Sequence, residues 1–394
     1  MKYFIPLVIL HLSMVFGFSQ AGLKDLSTEI IQNNTFLKAI NAEIERQQLG
    51  NKTGIYPDNP ELEFSYFIGS PTEIGNRRDF SLSQSFDFPG SYGIKKDIAK
   101  LRNDQLEYLY DQHKSQLIHD IISKIVDFDY LNTRMLELRS RSAHFQEIHD
   151  AFQFKLEKGE ATLIDLNKSR LNLLTLNKEI DIIEVNKSML EAELRALNGD
   201  KPLNLDTYSF KLMSLPRDFE IWFSEIRIKI PELKWLEMEM GISEKETSLT
   251  RKLNLPGFTA AYISEGVAGE TFRGLSLGMD IPIWENKGKL AQSKAKTASL
   301  KSRYDHQQMY FMTLLKKHYQ TAKVMERNLT EFLEEFENLN DLKVLNRSLE
   351  LGNITLVDYL LELGFFYDSK DLILEMQYQM NQEKSELFTY ELLD

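Results

Sequence analysis

The side chains with the strongest claim to chemistry are two aspartates that occur in the same setting twice. GEATLIDL runs from Gly159 to Leu166 and GNITLVDY from Gly352 to Tyr359, and the shared Gly, Thr, Leu and Asp pair Asp165 with Asp358. The rest of the chain offers little for catalysis. There are 7 histidines, and neither His144 with His149 nor His113 with His119 has a spacing that stacks on one helical face, so each reads as an ordinary helix-surface histidine. No Gly-rich phosphate loop, GxSxG or HExxH is present. The absence of cysteine removes disulfides, thiolate metal sites and Cys nucleophiles together. Met238 and Met240 lie near Trp235, a pairing that could serve a soft metal, although methionines also fill cores and packing is the reading adopted. The sequence therefore points to a non-enzyme with no cofactor and no metal site. A formal charge of −12 without a long basic run excludes a nucleic-acid partner.

The elements that must position these aspartates follow from where helix breakers stand. Gly and Pro cost about 1 and 3 kcal/mol inside a helix. Neither occurs from Ile94 to Lys158, nor from Lys289 to Leu351. At ~1.5 Å per residue these runs predict two helices on the order of 95 Å, far longer than an ordinary globular helix. Apolar residues return at three- and four-residue steps, as in Leu117, Ile121, Ile125 and Phe128, the stripe of packed helices. Gly159 and Gly352 fit the left-handed residue that ends each long helix. Thr162 and Thr355 fit the N-cap of a returning helix, with Asp165 and Asp358 completing a capping box. Two readings remain open for these turns, a plain helical hairpin and a docking surface that also involves Glu160 and Asn353.

The match extends beyond the turns. Leu82, Ser83, Asp87 and Pro89 correspond to Leu275, Ser276, Asp280 and Pro282, and Leu37, Lys38, Pro60 and Tyr66 to Leu233, Lys234, Pro256 and Tyr262. Each half reads helix, two strands, long helix, tight turn, returning helix, over 20–200 and 201–394. Alternation predicts the strands: Leu62, Phe64, Tyr66 and Ile68 oppose Glu61, Glu63 and Ser65, and Phe80, Leu82, Phe86 and Phe88 oppose Ser81, Ser83, Ser85 and Asp87. The hairpins are expected at about 60–88 and 256–284. Pro89, Gly90 and Pro282 then mark where strand gives way to helix. The first residues, MKYFIPLVILHLSMVFGFSQ, have the layout of a secretory signal over 1–19, and no later stretch is apolar enough for a spanning helix. In an exported chain such strands fit either a soluble antiparallel sheet or an outer-membrane barrel. Four strands cannot close a barrel, so the membrane reading requires an oligomer.

The signal segment, the duplicated layout and the Gly-x-x-Thr-hydrophobic-x-Asp turns resemble the TolC family of outer-membrane efflux proteins over nearly the whole mature chain. The resemblance implies a mainly α fold with a membrane β-hairpin pair. It further implies a homotrimer in which twelve strands form one outer-membrane β-barrel, surrounded by lipid and continued by a periplasmic α-helical barrel. Its implied role is the passive exit duct of a tripartite efflux system, docking to a periplasmic adaptor and an inner-membrane pump. An exported coiled-coil scaffold and a type I protein secretion duct are the alternatives. FDFPGSYGIKKDIAK, MDIPIWENKGKLAQSKAK and the PELK at Pro231–Lys234 look most like the branch paired with heavy-metal pumps of the resistance-nodulation-division class. By position from the tip glycines, Asp165 and Asp358 match acidic residues around the family's closed periplasmic aperture, and Arg170 and Tyr367 match return-helix positions common in the family, where helix packing and a part in that gate are the two readings. Where some members carry Tyr and Arg beside the second tip glycine, this chain has Leu349 and Ile354.

Overall fold

The computed structural model describes residues 18–205, 214–339 and 342–393. Most of the expected signal segment, up to residue 17, lies outside these residues. Helices α1 (Phe18–Asn33) and α2 (Thr35–Gly50) precede strands β1 (Glu61–Phe67) and β2 (Arg77–Phe86), and α3 (Ser91–Glu157) and α4 (Leu163–Leu197) follow. The second half continues with α5 (Phe219–Ile226), α6 (Pro231–Leu253), β3 (Gly257–Val267), β4 (Glu270–Asp280), α7 (Lys289–Leu339), α8 (Leu342–Glu350) and α9 (Leu356–Phe388). The 67 residues of α3 span about 100 Å as continuous helix. The matching run of the second half is α7 and then α8; residues 340 and 341, on which its continuity depends, lie outside the described residues.

The chain folds into two compact units, and each takes segments from both halves of the sequence. One comprises residues 1–36, 114–226 and 312–394; the other comprises 37–113 and 227–311. The first is a helical unit with a core built on Ile118, Ile121, Ile122 and Leu138 of α3, all fully buried. Asn34 separates α1 from α2, where the duplication suggests a single helix. Its amide donates to the Leu197 carbonyl at 2.9 Å, so the break is held by a tertiary bond that local sequence does not announce.

The second unit carries the sheet. Its order is β1-β2-β3-β4, all antiparallel, so the two expected hairpins are joined through β2 and β3. The length difference between the halves falls in the hairpin connections. Residues 68–76 link β1 to β2 and include a short 3-10 turn, Thr72–Ile74. Only Ala268 and Gly269 link β3 to β4, at φ 52° and 93°, the two positive φ values of a turn whose twist matches its strands. The strands end earlier than alternation alone suggests: Ile68, Phe88 and Ile281 fall outside them. Among the described residues no helix is long and apolar enough to cross a membrane.

Candidate functional site

Two features stand out, one in each unit. In the helical unit both matched turns form with the same bonds. Gly159 (φ 73°) and Gly352 (φ 68°) are left-handed. Glu160 N–H donates to the Lys155 carbonyl (2.8 Å) and Gly159 N–H to Leu156 (3.0 Å); Asn353 to Ser348 (2.9 Å) and Gly352 to Leu349 (3.1 Å) repeat the pattern. The Thr162 hydroxyl accepts from Asp165 N–H at 3.2 Å while Asp165 Oδ2 accepts from Thr162 N–H at 3.1 Å. Thr355 and Asp358 form the same box at 3.1 and 3.3 Å. Hydrogen bonds from the Thr162 hydroxyl and amide hold the Asp165 carboxyl below the usual carboxylate range. Glu160, Asn353, Asp358 and Arg170 are exposed and Asp165 is half-exposed.

Beneath the turns lies one shared core. Phe145, Ile148 and Phe152 of α3 meet Leu356, Tyr359 and Leu363 of α9, with Leu173 and Leu176 of α4 and Leu345 of α8 packed around them. Leu349 and Ile354 pack into this core, so apolar contact holds the second tip here. Threaded through the core is a hydrogen-bond chain. Tyr359 donates to Asn346 Oδ1 (2.7 Å), so its oxygen accepts from His144 Nε2–H (3.1 Å), which leaves His144 Nδ1 to accept from the Tyr367 hydroxyl (2.9 Å). Burial lowers the His144 pKa and pushes Tyr359 and Tyr367 up to about 12. Arg141, 4% exposed, stacks on the Tyr367 ring at 4.4 Å and pairs with Asp371 and with Glu137 (3.1 Å).

This corrects the sequence reading of the histidines. His144 is half-buried and bridges two tyrosines, and His149 Nδ1 donates to Ser169, whose own proton goes to the Leu166 carbonyl. Partners more than 200 positions away leave no local signal for His144. Tyr367 is placed in this core against α3, whereas Arg170 stands exposed on α4. Among the described residues no three His, Asp or Glu side chains gather as a metal-binding group.

In the other unit the sheet sorts its residues by face. The register aligns Leu62, Leu82, Tyr262 and Leu275 in one row, Phe64 and Phe80 in the next, and Phe86, Phe258 and Met279 in another, all on one face. That face is exposed, with Leu275 at 86% and Leu277 at 87%. The opposite face carries Glu61, Glu63, Ser81, Ser83, Ser85, Gly274, Ser276 and Gly278, with Phe67, Ile263, Val267 and Phe272 toward its hairpin end. The first strand-to-helix junction is tight: Ser91 N–H donates to the Phe88 carbonyl at 3.1 Å across Pro89 and Gly90 (φ 92°), and Lys95 pairs with Asp87 at 2.7 Å. Pro282 does not abut a helix. Residues 281–288 intervene before α7, tied by Asn286 to the Leu253 carbonyl at 2.8 Å.

No protein-family model matches the chain, and no curated protein matches it. Solved structures do. The chain is similar to CusC, described through conformational changes accompanying folding and transmembrane channel formation, with TM-score 0.75 and 15% identity over 96% of this chain and 95% of that one. It is similar to the CmeC outer-membrane channel of Campylobacter jejuni (TM-score 0.71, 15% identity, 94% and 85% covered). It also matches the outer-membrane protein VceC of Vibrio cholerae (0.74, 11%, 95% and 97%). The mainly helical fold with a small antiparallel sheet is thus shared with these outer-membrane channel proteins.

Proposed function

We propose that this chain is an outer-membrane channel, the passive exit duct of a tripartite efflux system, and not an enzyme. The observation that carries the reading is the sheet. An apolar face left open to the surroundings costs roughly 25 cal/mol per Å² in water, and among the described residues the outer edges of β1 and β4 have no strand partner in a sheet that does not close on itself. A lipid surround removes the first cost, and pairing β4 of one copy with β1 of the next removes the second. Three copies give a barrel of twelve strands, above the smallest membrane barrels of about eight. The apolar face turns to lipid and the small, acidic face lines the lumen.

The long helices supply the other half of the reading. A helix of about 100 Å such as α3 is suited to a periplasmic conduit rather than to an ordinary globular core. The two tips, with exposed Glu160 and Asn353 on rigid capped turns, present themselves to an adaptor, and Asp165 and Asp358 stand in corresponding places for a carboxylate ring at the periplasmic gate. Export is then driven by the partner pump, of the resistance-nodulation-division class by the resemblance of the junction blocks. The experiment is reconstitution. Full-length protein purified from membranes should require detergent, have the mass of three chains and open discrete conductances in planar bilayers. A water-soluble monomer or dimer without conductance would overturn the reading in favour of a scaffold.

A further inference from the structure

The sheet separates its charges by face with two exceptions. Glu61, Glu63, Asp79, Glu265, Glu270 and Asp280 all stand on the small-residue face, together with Arg77, which bonds Asp79 at 2.8 Å and Glu265 at 3.0 Å. The apolar face carries two charged residues within its strands, Arg78 and Arg273. Both are exposed, and neither forms an ion pair among the described residues although six carboxylates occupy the same four strands. An arginine on a lipid-facing strand costs about 2–4 kcal/mol at the bilayer midplane but roughly 0–1 near the interfaces. The register puts both where that cost is least. Arg78 lies in the row of Tyr66 and Gly266, and Arg273 in the adjacent row with Phe64, Phe80 and Ser264, both at the hairpin end of the apolar band. Tyr66, whose hydroxyl accepts from Asn76 at 2.6 Å, supplies the interfacial aromatic of that rim.

Between the two arginines β3 presents only Ser264 and Gly266. Two strand spacings and one two-residue step put their Cα atoms about 12 Å apart, a gap that two long side chains close over a floor without bulk. Guanidinium groups bind phosphate through paired N–H donors. We propose that Arg78 and Arg273 clamp a phosphomonoester group of a lipid headgroup, in preference to a phosphodiester, at the outer rim of the sheet, over the notch at Ser264 and Gly266. The site rests on the membrane reading of the sheet, and its partner is the phosphorylated lipid of the leaflet that the hairpin connections face.

The test uses the full-length assembled protein in phosphatidylcholine vesicles containing a minor fraction of spin-labelled phosphatidic acid, compared with spin-labelled phosphatidylcholine as the probe. The wild type should immobilise phosphatidic acid preferentially, by roughly fivefold per arginine at low salt. Arg78→Gln with Arg273→Gln should abolish the preference, whereas Arg77→Gln, on the other face, should keep it. If the Gln pair does not assemble, Arg78→Lys with Arg273→Lys keeps the charge without the forked donors and should lose part of the preference. A conducting wild type without the preference, or a preference unchanged in either double variant, overturns the clamp and leaves the duct standing. Failure of the wild type to insert and conduct overturns the duct and the clamp with it.

Discussion

Tyr359→Phe removes one oxygen from the centre of the tip core. Tyr359 is 1% exposed, and its hydroxyl both donates to Asn346 and accepts from His144. The Phe ring fills the same space, so the packing of Phe145, Ile148 and Leu363 should survive. Half-buried Asn346 can turn to water, which limits that loss to about 0.5–1 kcal/mol. His144 keeps Tyr367 at Nδ1 but loses the acceptor for its Nε2–H, at about 1–3 kcal/mol for an orphaned buried donor. The sum is about 1.5–4 kcal/mol, or roughly ten- to a thousandfold in a local opening equilibrium. Hydrogen exchange followed peptide by peptide is the assay. Amides of α8 and the first turns of α9 should exchange faster by that factor while those of β1–β4 stay unchanged. Unchanged exchange in α8 would refute the role of the Tyr359 hydroxyl in holding this core.

His144 also makes the same region sensitive to pH. Burial holds its pKa below the ordinary 6.5, so the stability linked to neutral His144 is complete above 6.5 and is lost as pH falls from there through the folded-state value; exchange in α8 should rise over that window, and His144→Gln should flatten the response. Arg141→Ala removes a buried guanidinium from a cluster in which Asp371 keeps Arg134 and Glu137 keeps Lys370, and should cost about 1.5–3 kcal/mol in denaturant titrations, more than an exposed pair such as Lys178 with Asp181. Thr162→Ala and Thr355→Ala each remove a capping box and should cost about 1 kcal/mol, read as faster exchange in the first turn of α4 or α9. Leu277→Arg places a charge on the apolar face and should weaken membrane assembly by about 2–4 kcal/mol, seen as less heat-resistant oligomer in the membrane fraction, whereas Ser276→Arg on the other face should assemble.

Much of this was legible because local rules govern it. Gly159, Thr162 and Asp165 define a turn through bonds to near neighbours, so the octapeptides alone foretell both capping boxes. Alternation in β1 to β4 likewise reflects which face each residue takes. The pairing of β2 with β3 was not legible, since Ser85 and Thr259, whose hydroxyls meet at 3.1 Å, are far apart in sequence. The polar chain through His144 is hidden for the same reason, and so is the Arg141 to Asp371 pair, because a partner on another helix imposes no periodicity. The break at Asn34 depends on a carbonyl of α4. Pro282 misleads in the opposite direction: a proline ends a strand, but it does not oblige a helix to begin.

The proposed duct requires the sheet to cross the outer membrane with its hairpin connections outside and the capped tips in the periplasm. Single cysteines at Glu73 and Glu270, both exposed, and at Glu160, exposed on the first tip, test this in a chain that has no native cysteine. On intact cells an impermeant thiol reagent should label Glu73→Cys and Glu270→Cys but not Glu160→Cys, and permeabilising the outer membrane should expose all three. Labelling of Glu160→Cys on intact cells while Glu73→Cys and Glu270→Cys stay protected would contradict the orientation, and equal protection of all three until permeabilisation would contradict a membrane-spanning sheet.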